Sequence, residues 1–319
     1  MSRSTSPGID PALEPRLGVS RDGQPLSYNR LPAPDLEPWV AWLYVASVEM
    51  PADYQLQCGL FNDTAMIRIQ LSGDWTAQTR DGPLNHARKA VYCGPQSKAM
   101  PIAVRGSFAS VGLAVKPGAG VTVTGLPASD FLDRIVSLDD LGLPGAAALE
   151  MLRPDASPEE WLQVLEGLVR GVLAMAGAKE PDPISARFEM LSLTDPTASI
   201  ADFAEECRVS QRQLERICRR DFGLPPKQVL RRARAIDMAS HLRGVADRKE
   251  AAELELRYYD QSHMIREFTQ LFGMSPRQFV ATPQPLMTLA LESRQARRLA
   301  VLDRLGPGQD RPWIAPRSD

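Results

Sequence analysis

The chain has 319 residues, 44% apolar and 24% charged, with a formal net charge of −2; this is ordinary for a globular protein and long enough for two domains with separate cores. No run approaches the ~18 apolar residues of a membrane helix, and the first twenty residues lack the apolar segment of a secretory signal, so a cytoplasmic protein with no membrane partner is expected. Four cysteines without CxxC spacing and three scattered histidines (His86, His241, His263) argue against a disulfide framework and a metal site, and no cofactor is implied.

Residues 1–35, rich in Pro, Ser and Gly, read as a disordered tail. Over residues 39–125 the texture is strand-like, with TAMIRIQL (64–71), KAVYC (89–93) and SFASVGLAV (107–115) separated by Gly, Pro and Asp turns, which predicts an antiparallel sandwich or barrel. LPASDFLDRIVSLDDL (126–141) and SPEEWLQVLEGLVRGVLAMAG (157–177) carry helical apolar spacing. The second opens with Ser157 as N-cap and Pro158 at the first helical position. The charged, Pro-rich KEPDP (179–183) is the main linker. The pattern from there to about residue 279 is helical throughout, and a last helix over 286–305 precedes a polar tail. The expected organisation is therefore α+β with two domains. A β-rich sandwich or barrel domain with trailing helices spans 36–181, an all-α domain 183–285, and an extra helix and tail 286–319.

Charge is uneven along this plan. Residues 1–182 carry 15 basic and 21 acidic side chains, residues 183–285 carry 16 and 14, and between Arg208 and Arg234 nine basic residues face only Glu215 and Asp221. Such a patch is a candidate footprint for a polyanion.

The helical region is also duplicated. Phe222-Gly223-Leu224-Pro225-Pro226-Lys227-Gln228 matches Phe272-Gly273-Met274-Ser275-Pro276-Arg277-Gln278 at an offset of 50, and at the same offset Arg216 falls on Arg266 and Leu214 on Met264. Each copy is predicted to run helix, turn of about three residues, helix, glycine stop, the helix-turn-helix pattern. In the first copy Ser210 N-caps the second helix, where Leu214, Ile217 and Cys218 share one side and Arg212, Glu215, Arg216 and Arg219 the other. In the second copy Met264, Phe268 and Leu271 cluster opposite Ser262, Arg266 and Thr269, with Gln261 at the helix start. Arginine forks suit guanine, a carboxylate suits cytosine and Gln suits adenine in the major groove, so these polar faces are candidate readers of double-stranded DNA. Lys227 and Arg277 are candidate phosphate contacts, and Ser210 and Asp260 candidate N-caps close to phosphate.

VSQRQLERICRRDFGLPPKQVLRRARAIDMASHL and YYDQSHMIREFTQLFGMSPRQF resemble the two helix-turn-helix units of AraC family transcription regulators. The resemblance covers about 100 residues. It implies two units that read successive major grooves, with DNA half-elements about one helical turn apart. It assigns base reading to Arg212, Glu215 and Arg216, then to Gln261, Ser262 and Arg266. Two departures stand out: Arg208 and Arg257 occupy the turn where the family usually has glycine, and Cys218 stands where an aromatic is common. If the turn needs positive φ, each arginine carries strain of roughly 1 kcal/mol, or adds a phosphate contact.

The segment SFASVGLAVKPGAGVTVTGLPASDFLDRIVSLDDL resembles the end of a β-rich domain found ahead of such units, with Lys116-Pro117-Gly118 at its turn. This implies a cupin-like domain that senses a small-molecule effector, or one that serves only to form a homodimer; recruitment or blocking of RNA polymerase follows in either case. Helices over 141–152 and 161–175 fit pairing between subunits or packing on their own sheet. An enzyme, or a DNA-repair alkyl acceptor working through Cys58 or Cys93, is the alternative from another class, but neither cysteine has a zinc-like frame.

Overall fold

The computed structural model describes residues 6–247, 261–305 and 311–314. Eleven strands among them form two antiparallel sheets. In the larger, β1 (Glu14–Pro15) and β2 (Tyr28–Arg30) both pair with β3 (Val40–Glu49), which is followed across the sheet by β10 (Phe108–Val115), β5 (Met66–Gln70), β8 (Lys89–Cys93) and β11 (Ile135–Ser137). The smaller runs β4 (Gln55–Leu60), β9 (Met100–Arg105), β6 (Asp74–Thr79), β7 (Gly82–His86). Alternation along β3 explains how the layers stack. Trp42, Tyr44, Ala46 and Val48 join Leu56, Trp75, Ile102 and Val104 in the core that includes the small sheet, whereas Leu43 and Val45 pack with the helical layer.

That layer holds α1 (Ala119–Thr124), α2 (Gly145–Met151) and α3 (Pro158–Ala176). The predicted cap is present: Ser157 Oγ accepts from Glu160 N, and the Glu160 carboxylate returns to Ser157 N, which satisfies two donors at once. Trp161, Leu162 and Leu165 bury against the chain's own large sheet.

Two local readings are corrected. LPASDFLDRIVSLDDL is not helical; short turns at Ala128–Phe131 and Asp139–Leu141 flank β11, whose Ile135, Val136 and Ser137 pair with Cys93, Tyr92 and Val91. An open sheet edge satisfies their backbone, and Asp133, at φ +59, interrupts the helical path. Residues 6–35 are no disordered tail. They pair with β3 and bury Leu26 and Ser27, and the carbonyl of Gly8 and Oε1 of Gln24 accept from the fully buried Arg243.

The C-terminal half comprises α4 (Pro183–Thr194), α5 (Ile200–Glu206), α6 (Gln211–Phe222), α7 (Pro226–Leu242), α8 (Gln261–Phe272), α9 (Pro276–Ala281) and α10 (Pro285–Val301). The expected appendage at 286–305 is instead a core element. In α10, Leu286, Met287, Leu291, Glu292, Arg294 and Leu299 are all buried, and a helix buried on all sides belongs inside the protein. It packs on β3, β4, α4 and α7. One apolar cluster therefore runs from the small sheet through α10 into the second helix-turn-helix unit (Phe268, Phe272, Phe279), while Phe188, Phe203, Leu214, Cys218 and Phe222 form a separate core for the first.

Candidate nucleic-acid interface

The two units repeat in structure as they do in sequence. Helices α6 and α8 each have twelve residues at the offset of 50. Each is followed by a left-handed glycine, Gly223 at φ +74 and Gly273 at φ +72, and then by a helix opened by proline. Ser275 caps the second of these through a capping box with Gln278. Glycine alone takes that stop without strain, so the chain leaves both helices in the same direction.

Ahead of α6, Ser199 Oγ caps α5 by accepting from Asp202 N, and Ser210 Oγ caps α6 by accepting from Gln213 N at 3.1 Å. Between them Arg208 sits at φ +55, so this turn does place a non-glycine residue in the left-handed region. Arg257 and Asp260 lie outside the described residues, and so do the side chains of Gln261 and Ser262, whose backbone opens α8.

Burial sorts the faces of both helices. On α6, Leu214, Ile217, Cys218 and Asp221 are buried, while Arg212, Glu215, Arg216 and Arg219 are exposed. On α8, Phe268 and Leu271 are buried and Arg266 and Thr269 exposed. Lys227 and Arg277 are exposed at the second positions of α7 and α9, where free backbone N–H groups and a cation together suit a phosphate. Glu215 is less available than its position implies, because Arg219 one turn on donates to its carboxylate at 2.9 Å.

The basic patch is narrower in space than in sequence. Arg232 is 2% exposed and donates to the carbonyls of Gln96 and Asp63 in the β-rich half. Arg220 is held by Asp221 and Asp182, Arg231 by Glu267, and Arg234 by the carbonyl of Pro196. Of the nine basic residues, Arg208, Arg212, Arg216, Arg219 and Lys227 remain as an outward set. Buried arginines were invisible to a count along the chain because their acceptors lie far away in sequence.

The halves meet through charge as well as through apolar packing. Arg294 of α10 donates to Asp63 (2.8 Å) and to Asp237 of α7, and Arg297 pairs with Asp63 (3.3 Å) and Glu189 (3.4 Å). Burial alone would raise the Asp63 carboxyl, but Arg297, Arg294 and Arg232 hold it well below the usual carboxylate range. Burial pushes Glu189 and Glu292 up. Among cysteines, burial pushes the Cys58 thiol up to about 11 and raises that of Cys93. Both stay protonated at neutral pH, where a thiol is a poor nucleophile. Burial, then Arg68 and Lys89, lower the His86 imidazole to about 4. Among the described residues no cluster of three His, Cys, Asp or Glu side chains could hold a metal, and no helix is long and apolar enough to cross a membrane.

Residues 203–282 match the family model described as a helix-turn-helix domain. No curated protein matches the sequence. Among solved structures, the ligand-free form of a ToxT point variant from Vibrio cholerae strain SCE256 is similar at a TM-score of 0.44 and 13% identity, over 75% of this chain and 98% of that one. Wild-type ToxT of the same strain bound to an unsaturated fatty acid gives a TM-score of 0.44 at 11% identity, over 75% and 94%. The AraC-like transcriptional activator CuxR gives 0.26 at 14%, over 60% and 80%. At scores this low, the helix-turn-helix match is the finding that carries weight.

Proposed function

We propose that this chain, which carries an AraC-type helix-turn-helix domain over residues 203–282, is a sequence-specific transcription regulator that grips one face of duplex DNA with α6 and α8. The supporting observation is the duplication of geometry. Two twelve-residue helices, each closed by a left-handed glycine and followed by a Pro-opened helix with a cation at its second position, each turn arginine outward. Arg212 and Arg216, with Arg266 in the second unit, read base edges, and Lys227 and Arg277 hold phosphates. Glu215 orders Arg219 in the free protein and accepts from cytosine only when that pair opens.

The β-rich half serves as a sensor. A cavity between the sheets is walled on one side by α10, and α10 is tied to α7 of the DNA-binding half through Arg294 and Asp237. A molecule bound there touches the element that seats both halves on each other, and promoter output follows by recruiting or blocking RNA polymerase. Selection of binding sites from random duplexes with the purified chain tests the DNA reading. Two half-elements about 10–11 base pairs apart are expected; no enrichment over bulk competitor removes it.

A further inference from the structure

Helix α7 is shared between the two helix-turn-helix units. Val229 and Leu230 belong to the core of the first unit, with Phe188 and Leu214, whereas Ala235, Ile236 and Ala239 belong to the cluster that holds Phe268 of α8. Two arginines three residues apart, and so on one face of α7, leave the helix in opposite directions. Arg231, next to Leu230, reaches into the second unit. Its Nε lies 2.9 Å from Oε1 of Glu267, and its Nη2 donates to Oε1 of Gln270. Arg234, next to Ala235, reaches back to the first unit, where its Nη1 donates at 2.8 Å to the carbonyl of Pro196, in the turn ahead of α5. Each arginine thus ties one unit's stretch of α7 to the other unit.

The seats on the β-rich half hold the C-terminal ends of α6 and α8: Pro95 and Ala128 surround Gly223, and the Ala99 amide donates to the Leu271 carbonyl. Arg231 grips α8 further along, at mid-length. Glu267 and Gln270 are three residues apart on one side of α8, so a single guanidinium held by both fixes the rotation of that helix about its axis. Arg266 precedes Glu267, is exposed, and lies about 100° from it around the helix. Its direction follows from that rotation. With 27% of the Arg231 side chain exposed, the ion pair is partly solvated and adds little to stability. Its effect is geometric. Apolar contacts are non-directional and let two packed units pivot, whereas the planar fork of an arginine fixes a distance and a direction.

We propose that Arg231, backed by Arg234, is a positioning residue for DNA binding: the two ties fix the separation and twist of α6 and α8, so that the chain accepts one spacing between half-elements and rejects its neighbours. The inference rests on the reading of α6 and α8 as the DNA-binding helices and adds what sets their spacing. One base pair more or less between half-elements moves the second groove by about 3.4 Å and turns it by about 34°. A joint that is tied at mid-helix does not follow such a step.

The full chain is used to select its duplex from random sequences. Gel-shift affinities are then measured on that duplex and on versions with one base pair inserted or removed between the half-elements. The parent should lose at least ten-fold on either altered duplex. Arg231→Ala should lose less than about three-fold on them, bind the selected duplex within about five-fold of the parent, and melt within about 3 °C of it. Glu267→Ala combined with Gln270→Ala removes both acceptors of the same tie and should relax the spacing equally, so it decides the matter if Arg231→Ala does not fold. Three results would each overturn the proposal: ten-fold discrimination kept in a variant that folds, a parent that already accepts the altered duplexes, or a loss in Arg231→Ala that is uniform over the three duplexes and flattens the salt slope, the mark of a phosphate contact. A parent that selects a duplex and gives any of these sinks this inference alone. One that enriches no duplex removes the DNA reading, and the spacing device with it.

Discussion

The two stop glycines provide a matched pair for testing how the first helix-turn-helix unit is seated. Gly223 and Gly273 share a left-handed φ of +74 and +72, so alanine at either site costs about 1 kcal/mol in backbone strain. Alanine also narrows the unfolded ensemble at both sites, and that effect cancels in the comparison. Their surroundings differ. A Cβ at Gly273 meets nothing within 4 Å, whereas one at Gly223 meets the carbonyl oxygen of Ala128 at 3.2 Å, Pro95 Cγ at 3.2 Å and Leu132 Cδ1 at 3.3 Å, all in the β-rich half. Those neighbours must give by a few tenths of an ångström, which adds about 1–2 kcal/mol of overpacking. Gly273→Ala should therefore cost about 1 kcal/mol and Gly223→Ala about 2–3, read by urea denaturation followed through tryptophan fluorescence. In melting temperature the second should fall at least twice as far as the first. Equal costs would refute the reasoning, because they would mean that the first unit does not rest on residues 95–132 in solution.

Arg212→Ala and Arg266→Ala should each weaken specific DNA binding by about 1–3 kcal/mol and relax preference at single base positions; unchanged affinity of both in a gel-shift titration removes the proposed reading faces. Lys227→Ala should weaken all duplexes alike and flatten the slope of log affinity against log salt by about one unit, and a sequence-selective loss would reassign the residue. Arg208→Gly relieves the left-handed strain at φ +55 and should leave the protein no less stable; a shallower salt slope marks Arg208 as a phosphate contact, and an unchanged slope returns it to a tolerated turn. Asp63→Asn leaves Arg294 and Arg297 short of a counter-charge and should cost about 3 kcal/mol at neutral pH. The folded-state carboxyl lies below its unfolded value of about 4, so its stabilisation is present at neutral pH and fades as pH drops below that value. A gap between parent and variant that ignores pH would point to packing instead.

What was legible in the sequence was whatever local pattern decides. The strand-like texture of TAMIRIQL, KAVYC and SFASVGLAV gave three neighbouring strands of one sheet, and Ser157 before Pro158 gave an N-cap, whose partner Glu160 lies only three residues on. The duplicated Phe-Gly element gave both stops and the two matching twelve-residue helices, α6 and α8. What failed depended on distant partners. Ile135 and Val136 read as helical until β8 supplies an edge for them, and the tail is ordered by β3, α10 and Arg243, none of which it announces.

The placement of α6 and α8 follows from how each is seated. The first unit touches the β-rich half at Gly223 and through Asp221, which lies beside Gly118 at the tip of α1. The second is seated by Phe61 edge-on to Phe272 (5.2 Å), by the Ala99 amide donating to the Leu271 carbonyl (2.7 Å), and by α10. Between them α7 is pinned by Arg232 from one side and Asp237 from the other. Ion pairs this deep contribute little net stability, since desolvation offsets their attraction, but they penalise every register in which the charges part. Close-packed interfaces also move between discrete arrangements and do not deform smoothly. The relative orientation of α6 and α8 is therefore set jointly by α7 and by the β-rich platform under both units, and a displacement of α10 changes the seat of the second unit while leaving the Gly223 seat in place.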